Sequence, residues 1–390
     1  MKDTYPDSKS DLFAGFIERA VGLVRPHGYM AQVTMQSWMF LSSYERLRTR
    51  LQRDTSLVAM LHMDNMVMRI AFGTSATVWQ IGGDPWRSGR YTFVELADLA
   101  GEVPRAWPPR NDRTAIAGGD GFFTVRQADF AAIPGSPIVY WLSEKMRAAF
   151  SAGVPLGDIS KPLVGLRTGD NNRFMRHWWE VSSDRSAFAC GSLQAAVGTG
   201  ARWFPYNKGG AFRRWYGNHE FVVNWEQDGK EIEEGLAERY PYLVPAGKTL
   251  VRGQGRDRYF SPSVSWSKIS SGAPSFRAYP PGFIFDVAGT SMFAQTQGDR
   301  DRLIAFANSQ VAYEQLSAIA PTMNFEVGQV AGLPLVDDVR DETQVRVATL
   351  VEQAKADWDT FEESWNFTEN PLIKTFQSTT HERPPRADSN

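Results

Sequence analysis

Apolar residues at 12, 13, 16, 17, 20, 21 and 24 keep the three-and-four spacing of one helical face until Pro26 and Gly28 interrupt it. Ser8 and Asp11 stand where a capping box would open that helix. Tyr29 to Thr34 then reads as a strand. Ser42 with Glu45 forms a second box ahead of YERLRTRL, and LVAMLHM, MVMRIAF and ATVWQI follow as apolar or alternating runs that predict strands. Helix, strand, helix and several strands describe an α/β sheet. The pattern begins at what resembles a crossover helix with no strand before it, so the sheet is expected to be open at its start, with apolar surface bare around Tyr29 to Thr34 and Leu57 to Phe72. Met60, Met63, Met66 and Met68 are expected to fill the strand core.

Pro and Gly accumulate between 84 and 160 (DPWRSG, RAWPPRND, IPGSP), which places a boundary there. Residues 161–335 read as short aromatic strands broken by Gly-Gly and Pro-Pro turns, with no long helical period before LIAFANSQVAYEQLSA; mixed α+β is the expected architecture. From Glu342 the apolar residues at 347, 351, 354, 358, 361 and 365 predict a helix that lays Trp358, Phe361 and Trp365 back onto the body. The resulting division is 1–100, a connector at 101–160, a second domain at 161–335, a helical tail at 336–370 and a disordered end at 371–390.

Composition adds bounds. At 390 residues, 42% hydrophobic and 22% charged, the chain is long enough for two or three domains with real cores. Its one cysteine, Cys190, excludes a disulfide framework and a cysteine-built metal site, and favours a reducing, cytoplasmic location. The N-terminus lacks a signal-peptide pattern, and no run approaches a membrane span, so no membrane partner is expected. The net charge of -2 hides an asymmetry: Lys161 to Trp225 holds nine Lys and Arg against four Asp and Glu, whereas Glu326 to Asn390 holds six against thirteen. The middle therefore carries a modest phosphate-binding footprint. The histidines at 27, 62, 177, 219 and 381 show no metal-ligand spacing, and Ser291 lacks the setting of a nucleophile.

Two clusters in that basic middle carry chemistry. GLRTGDNNRFMRHWW and WFPYNKGGAFRRWYGN combine guanidinium forks, amides and aromatic rings around glycine turns, the groups that read base edges, hold phosphates and stack on bases. Read from chemistry, Arg167, Thr168, Asn171, Asn172, Arg173, Tyr206, Lys208, Arg213, Arg214 and Asn218 are the candidate DNA contacts, with Asn172 and Arg173 on bases and Lys208 and Arg214 on phosphates. The competing reading makes the tryptophans core residues and the polar groups solvated turns.

The same segments, GLRTGDNNRFMRHWWEV and WFPYNKGGAFRRWYGN with VVNWEQDG, together with YPPGFIFDVAGTSMF, YPDSKSDLFAGFIERA and VTMQSWMFLSSYERLR, closely resemble the BREX phage-exclusion adenine methyltransferases of the PglX family, from about residue 3 to about residue 370. The resemblance implies an enzyme that binds S-adenosylmethionine and methylates adenine N6 in a short DNA sequence. Residues 161–335 would correspond to its target-recognition domain, and 1–100 to the closing part of a Rossmann-like catalytic sheet. Double-stranded DNA, an upstream methyltransferase fragment and other BREX proteins are the implied partners. Family members also carry a glycine-containing cofactor loop and an Asn-Pro-Pro-Tyr motif that holds a flipped adenine. Neither occurs here. Trp107-Pro-Pro-Arg110 and Tyr279-Pro-Pro-Gly282 have the wrong order, Arg383-Pro-Pro-Arg386 lies in the tail, and VGTG at 197–200 and RGQG at 252–255 read as turns. The chain is therefore expected to be the C-terminal portion of such an enzyme, with no catalytic residue of its own and no cofactor bound by it alone. A DNA-binding module without chemistry, a gene remnant, and a carbohydrate-binding protein suggested by the 13 tryptophans are the other readings.

Overall fold

The structure, a computed structural model, describes residues 3–84, 86–117, 119–242, 255–320, 323–336 and 341–373. The expected disordered end from 374 onward, His381, Arg383-Pro-Pro-Arg386 and the RGQG run before Gly255 lie outside the described residues. The chain divides into two units, one made of Met1–Pro155, Glu314–Pro321 and Gly332–Val336, the other of Leu156–Tyr313, Thr322–Ala331 and Asp337–Asn390.

In the first unit, helices α1 (Leu12–Leu23) and α2 (Glu45–Asp54) accompany strands β1 (Tyr29–Met35), β2 (Thr55–Met63), β3 (Thr74–Ile81), β4 (Ser88–Val94) and β5 (Phe123–Arg126). The strands form one sheet in the order β1-β3-β2-β4-β5. β3 runs antiparallel to both neighbours, β2 and β4 are parallel, and β4 and β5 are antiparallel. One sheet face buries Met30, Leu57, Trp79 and Tyr91 against Ile17, Leu47 and Leu51 of the two helices. Arg48 sits inside this core and is satisfied by the carbonyls of Trp38, Leu41 and Gly135, so a buried charge is matched to three fixed acceptors.

Neither predicted capping box forms here. The Ser8 hydroxyl donates to the Glu18 carboxylate at 2.6 Å, which also takes Arg50 at 2.6 Å, leaving Asp11 as an N-cap without a side-chain bond. Ser42 opens a 3-10 turn, and α2 starts after it at Glu45. The run MVMRIAF is not a strand: antiparallel β2 and β3 must be joined, and residues 64–73 make the reversal with Met66 and Arg69 at positive φ. Met60 and Met63 are buried as expected, but Met66 and Met68 are exposed on that turn.

The opposite sheet face is largely bare. Ala31, Val33, Ala59, Leu61, Ala76 and Val78 line an apolar groove of about 560 Å³ bordered by Trp107 and Phe122. Val33, on the edge strand β1, is 58% exposed.

The second unit holds two small sheets. Strands β6 (Met175–His177), β7 (Trp203–Asn207), β8 (Phe221–Asn224) and β11 (Ile284–Phe285) pair in the order β11-β7-β8-β6, and β9 (Ser263–Trp266) sits between β10 (Phe276–Tyr279) and β12 (Ser291–Met292). Short helices α3 (Asn171–Phe174) and α4 (Leu193–Thr199) flank them, followed by α5 (Glu226–Arg239), α6 (Gln297–Ala307) and α7 (Asp341–Trp358). α5 is a helix that the periodicity did not predict, because Gln227, Asp228 and Gly229 adopt left-handed conformations within its span. α7 packs on α6 and buries Trp358, as its apolar stripe requires, but ends there; Ser364 bonds Asp359 at 2.6 Å and closes a turn, so Phe361 and Trp365 lie beyond the helix.

Candidate nucleic-acid interface

The first cluster is built on a backbone run fixed against β11. The Leu166 N–H donates to Phe285 O at 2.7 Å, and Gly165 lies so close that a Cβ there would meet the same oxygen at 1.8 Å. Only glycine fits at 165. The chain then turns through Gly169, at φ +75°, and Asp170 caps α3 by accepting from the Arg173 N–H at 3.1 Å. Phe174, buried, anchors the short helix from below. What remains outside is the side chains of Arg167, Asn171, Asn172 and Arg173, all exposed. Thr168 is buried and donates to Asn171 Oδ1 at 2.6 Å, which orients that amide. Among the described residues neither Arg167 nor Arg173 has a carboxylate partner, so both guanidinium groups keep their charge uncompensated.

The second cluster divides. Tyr206 is 0% exposed; its hydroxyl donates to the Asp286 carboxylate, with Leu166 O 3.3 Å away. Burial first, then the Asp286 charge, raises its pKa well above the ordinary value. Lys208 pairs with the same Asp286 at 2.8 Å and is 23% exposed, so its charge is matched internally. Through Asp286 and Leu166 these two residues adjoin the turn that presents Arg167. Gly209 and Gly210, both left-handed, carry the chain away, and a Cβ on Gly209 would meet Ala288 O at 2.8 Å.

Arg213, Arg214 and Asn218 belong to a separate loop. Arg213 lies over the Trp358 ring at 4.8 Å and the Phe361 ring at 5.1 Å. Asn218, buried at φ +61°, donates to Ala211 O at 2.9 Å. Arg214 is exposed beside the exposed Phe212. Thus Tyr206, Thr168 and Asn218, expected at the surface, are buried, and they shape the turns that hold the exposed groups.

Two contributors were missed in the sequence. Asp286 joins the clusters, and Arg277, fully buried on β10, donates to Ala211 O, Arg213 O, Ser275 Oγ and Ser267 Oγ and so fixes the Arg213 loop. Strand alternation gives no signal for a charged residue used this way. Trp179, exposed and stacked on His177 at 4.4 Å and 16°, adds a flat ring a few residues after α3.

Comparison with known proteins bears on this arrangement. The family model described as Eco57I restriction-modification methylase matches residues 1–67. The adenine-specific methyltransferase PglX of Lacticaseibacillus casei (strain Zhang) is 34% identical over 374 residues, 95% of this chain and 30% of that protein. The adenine-specific methyltransferase BrxX of Escherichia coli O9:H4 (strain HS) is 34% identical over 380 residues, 96% of this chain and 29% of that protein. Among solved structures, the Type IIL restriction-modification enzyme MmeI in complex with DNA aligns with 99% of this chain and 52% of its own at 10% identity and a TM-score of 0.54, a likeness of fold. The chain spans less than a third of the length of the curated relatives it matches, and along nearly all of its own length it is homologous to the PglX and BrxX adenine-specific methyltransferases.

Proposed function

We propose that these 390 residues supply DNA target recognition to a site-specific adenine-N6 DNA methyltransferase of the BREX phage-defence kind, while the methyl-transfer chemistry is supplied by sequence outside them. The observation that carries the reading is the exposed set Arg167, Asn172 and Arg173, uncompensated and held by a capped turn, in a chain homologous to adenine-specific methyltransferases. Bidentate guanidinium and amide groups on a rigid mount are what base readout needs. Arg214 and the flanking Arg176 add phosphate-seeking charge.

The bare apolar face of the first sheet and the free edge of β1 support a further part of the reading, that this sheet is the closing portion of a Rossmann-like catalytic sheet. Two runs that could be compared with cofactor or adenine motifs do not fit those roles. VGTG ends α4, with Gly200 left-handed at its C-cap, and so presents carbonyls where a cofactor loop would present N–H groups. Tyr279 of Tyr279-Pro-Pro-Gly282 is buried against His219 and Phe283 and has no free face for an adenine.

The test uses the purified chain, with duplex DNA binding followed over a salt series and tritiated-methyl transfer measured in parallel. Binding that weakens steeply with salt, and no transfer, is expected. Robust transfer by the chain alone would overturn the division of labour, and salt-independent binding would overturn the DNA reading.

A further inference from the structure

The second unit contains a cavity of about 670 Å³ that the recognition surface does not use; none of Arg167, Asn171, Asn172 or Arg173 lines it. Its size is that of a small-molecule site. The geometry points to a binding site for one nucleotide unit, either a free nucleotide or one residue of a nucleic-acid strand turned out of its stack.

The walls are rings: Tyr216, Tyr279, Phe283 and Trp365, with Pro280 and Pro281 beside them. They are fixed from behind by His219, which is buried, lies 4.5 to 4.8 Å from the first three rings and stacks on Trp365 at 5.6 Å and 19°. Burial, with a smaller contribution from Arg277, pushes the His219 pKa down to about 3, so the ring that backs the wall is neutral at physiological pH. The Tyr-Pro-Pro-Gly turn has its physical reason here. Gly282 at φ +112° lets the turn approach the Phe188 backbone, where a Cβ would come within 2.6 Å of Phe188 O, and the Phe188 ring closes on Trp365 at 5.0 Å. Of these rings Trp365 is the part-exposed one, so a planar ring would lie against its side of the wall, and stacking there does not depend on which base enters.

The rim adds polarity. Arg300 and Lys355 border the cavity, and among the described residues neither has an ion-pair partner. Arg300 is half-buried and has only the neighbouring Asp301 charge, with no ion-pair contact, to offset its desolvation, so it gains from a further anion. Of the two rim carboxylates, Asp301 already accepts from the Gln297 amide at 2.7 Å and Glu352 is exposed. A phosphate at Arg300 and Lys355, with a base against the Trp365 side of the aromatic wall, uses both halves of the site. A purely apolar ligand would leave the two cations unmatched, and a bare phosphate would leave the rings unused.

The experiment is calorimetric titration of the full chain with AMP, adenosine, inorganic phosphate and a single-stranded oligoadenylate. AMP is expected to bind at one site more tightly than adenosine or phosphate. Lys355→Ala should weaken AMP by about tenfold and leave adenosine within about twofold, because only the phosphate contact is lost. Trp365→Leu should weaken both by about tenfold or more. Oligoadenylate that binds more tightly than AMP and is displaced by it would identify a strand residue as the occupant; failure of the oligomer to compete would identify the free nucleotide. No binding of AMP or oligomer at about 5 mM, or equal AMP affinity in wild type and Lys355→Ala, would overturn the proposal. Lys355 lies on the rim, so this variant informs even if Trp365→Leu does not fold. Duplex binding through Arg173 is read separately and stands or falls independently.

Discussion

Three groups converge on the Asp286 carboxylate: the Tyr206 hydroxyl, the Lys208 ammonium and the Ala288 N–H. A buried carboxylate so surrounded is satisfied, and it fixes the strand end from which the Arg167 turn departs. This shifts the weight of phosphate contact from Lys208 to the unpaired arginines. Arg214→Ala should lower the salt slope of DNA binding by about one unit and weaken all sequences alike. Buried histidines give a second residue-scale expectation. His62 and His219 are both held down to about 3 by burial, with Arg113 and Arg277 respectively contributing less. Because the folded pKa lies below the unfolded value, the unfolded state binds more protons between about pH 6.5 and pH 3. Stability is therefore complete above that window and falls as pH falls through it, by up to about 1.4 kcal/mol per pH unit for each histidine. Thermal unfolding at pH 7 and pH 5 should show the loss, and His219→Phe should remove roughly half of it. An unchanged pH dependence in that variant would mean that His219 is not held neutral.

At the scale of elements, the recognition turn depends on a glycine more than on its polar residues. Gly165→Ala would place a Cβ 1.8 Å from Phe285 O, so the run alongside β11 must move and carry Arg167 to Arg173 with it. Weaker DNA binding together with a stability loss of about 2 to 4 kcal/mol is expected in denaturant titration; wild-type values would show that the turn is not fixed there. The edge strand β1 sets the other expectation. Val33→Lys on its exposed edge should raise the concentration at which light scattering detects aggregation, without lowering the unfolding temperature. Much of this level was legible in the sequence. The apolar positions of α1 from Leu12 to Val21, the alternation of β3 and the stripe of α7 each predict their element, because one buried face dictates a period. The run at 66–72 misled because its apolar residues mimic a strand while the antiparallel pairing of β2 with β3 demands a reversal there. α5 escaped because its left-handed start follows from local backbone conformation and not from periodicity. Asp286 and Arg277 were illegible for a related reason: their partners are backbone groups and side chains remote in sequence, which no spacing rule brings together.

At the scale of the whole molecule, residues 314–321 and 332–336 return from the second part of the chain to the first unit, and Pro334–Leu335 pairs there with Val154–Pro155. A chain begun at Ser160 would leave those returning segments without their partners. Among the described residues no helix is long and apolar enough to cross a membrane. The central claim is that this chain reads DNA sequence through the turn at 167–173. The most direct measurement is selection of bound duplexes from a randomised pool by the wild-type chain and by Arg173→Ala, at a fixed salt concentration. The account predicts a short preferred sequence for the wild type, and for the variant a loss of preference at one position worth roughly 1 to 3 kcal/mol, with the other positions retained. A pool that emerges without preference, or an identical preference in both proteins, would contradict it.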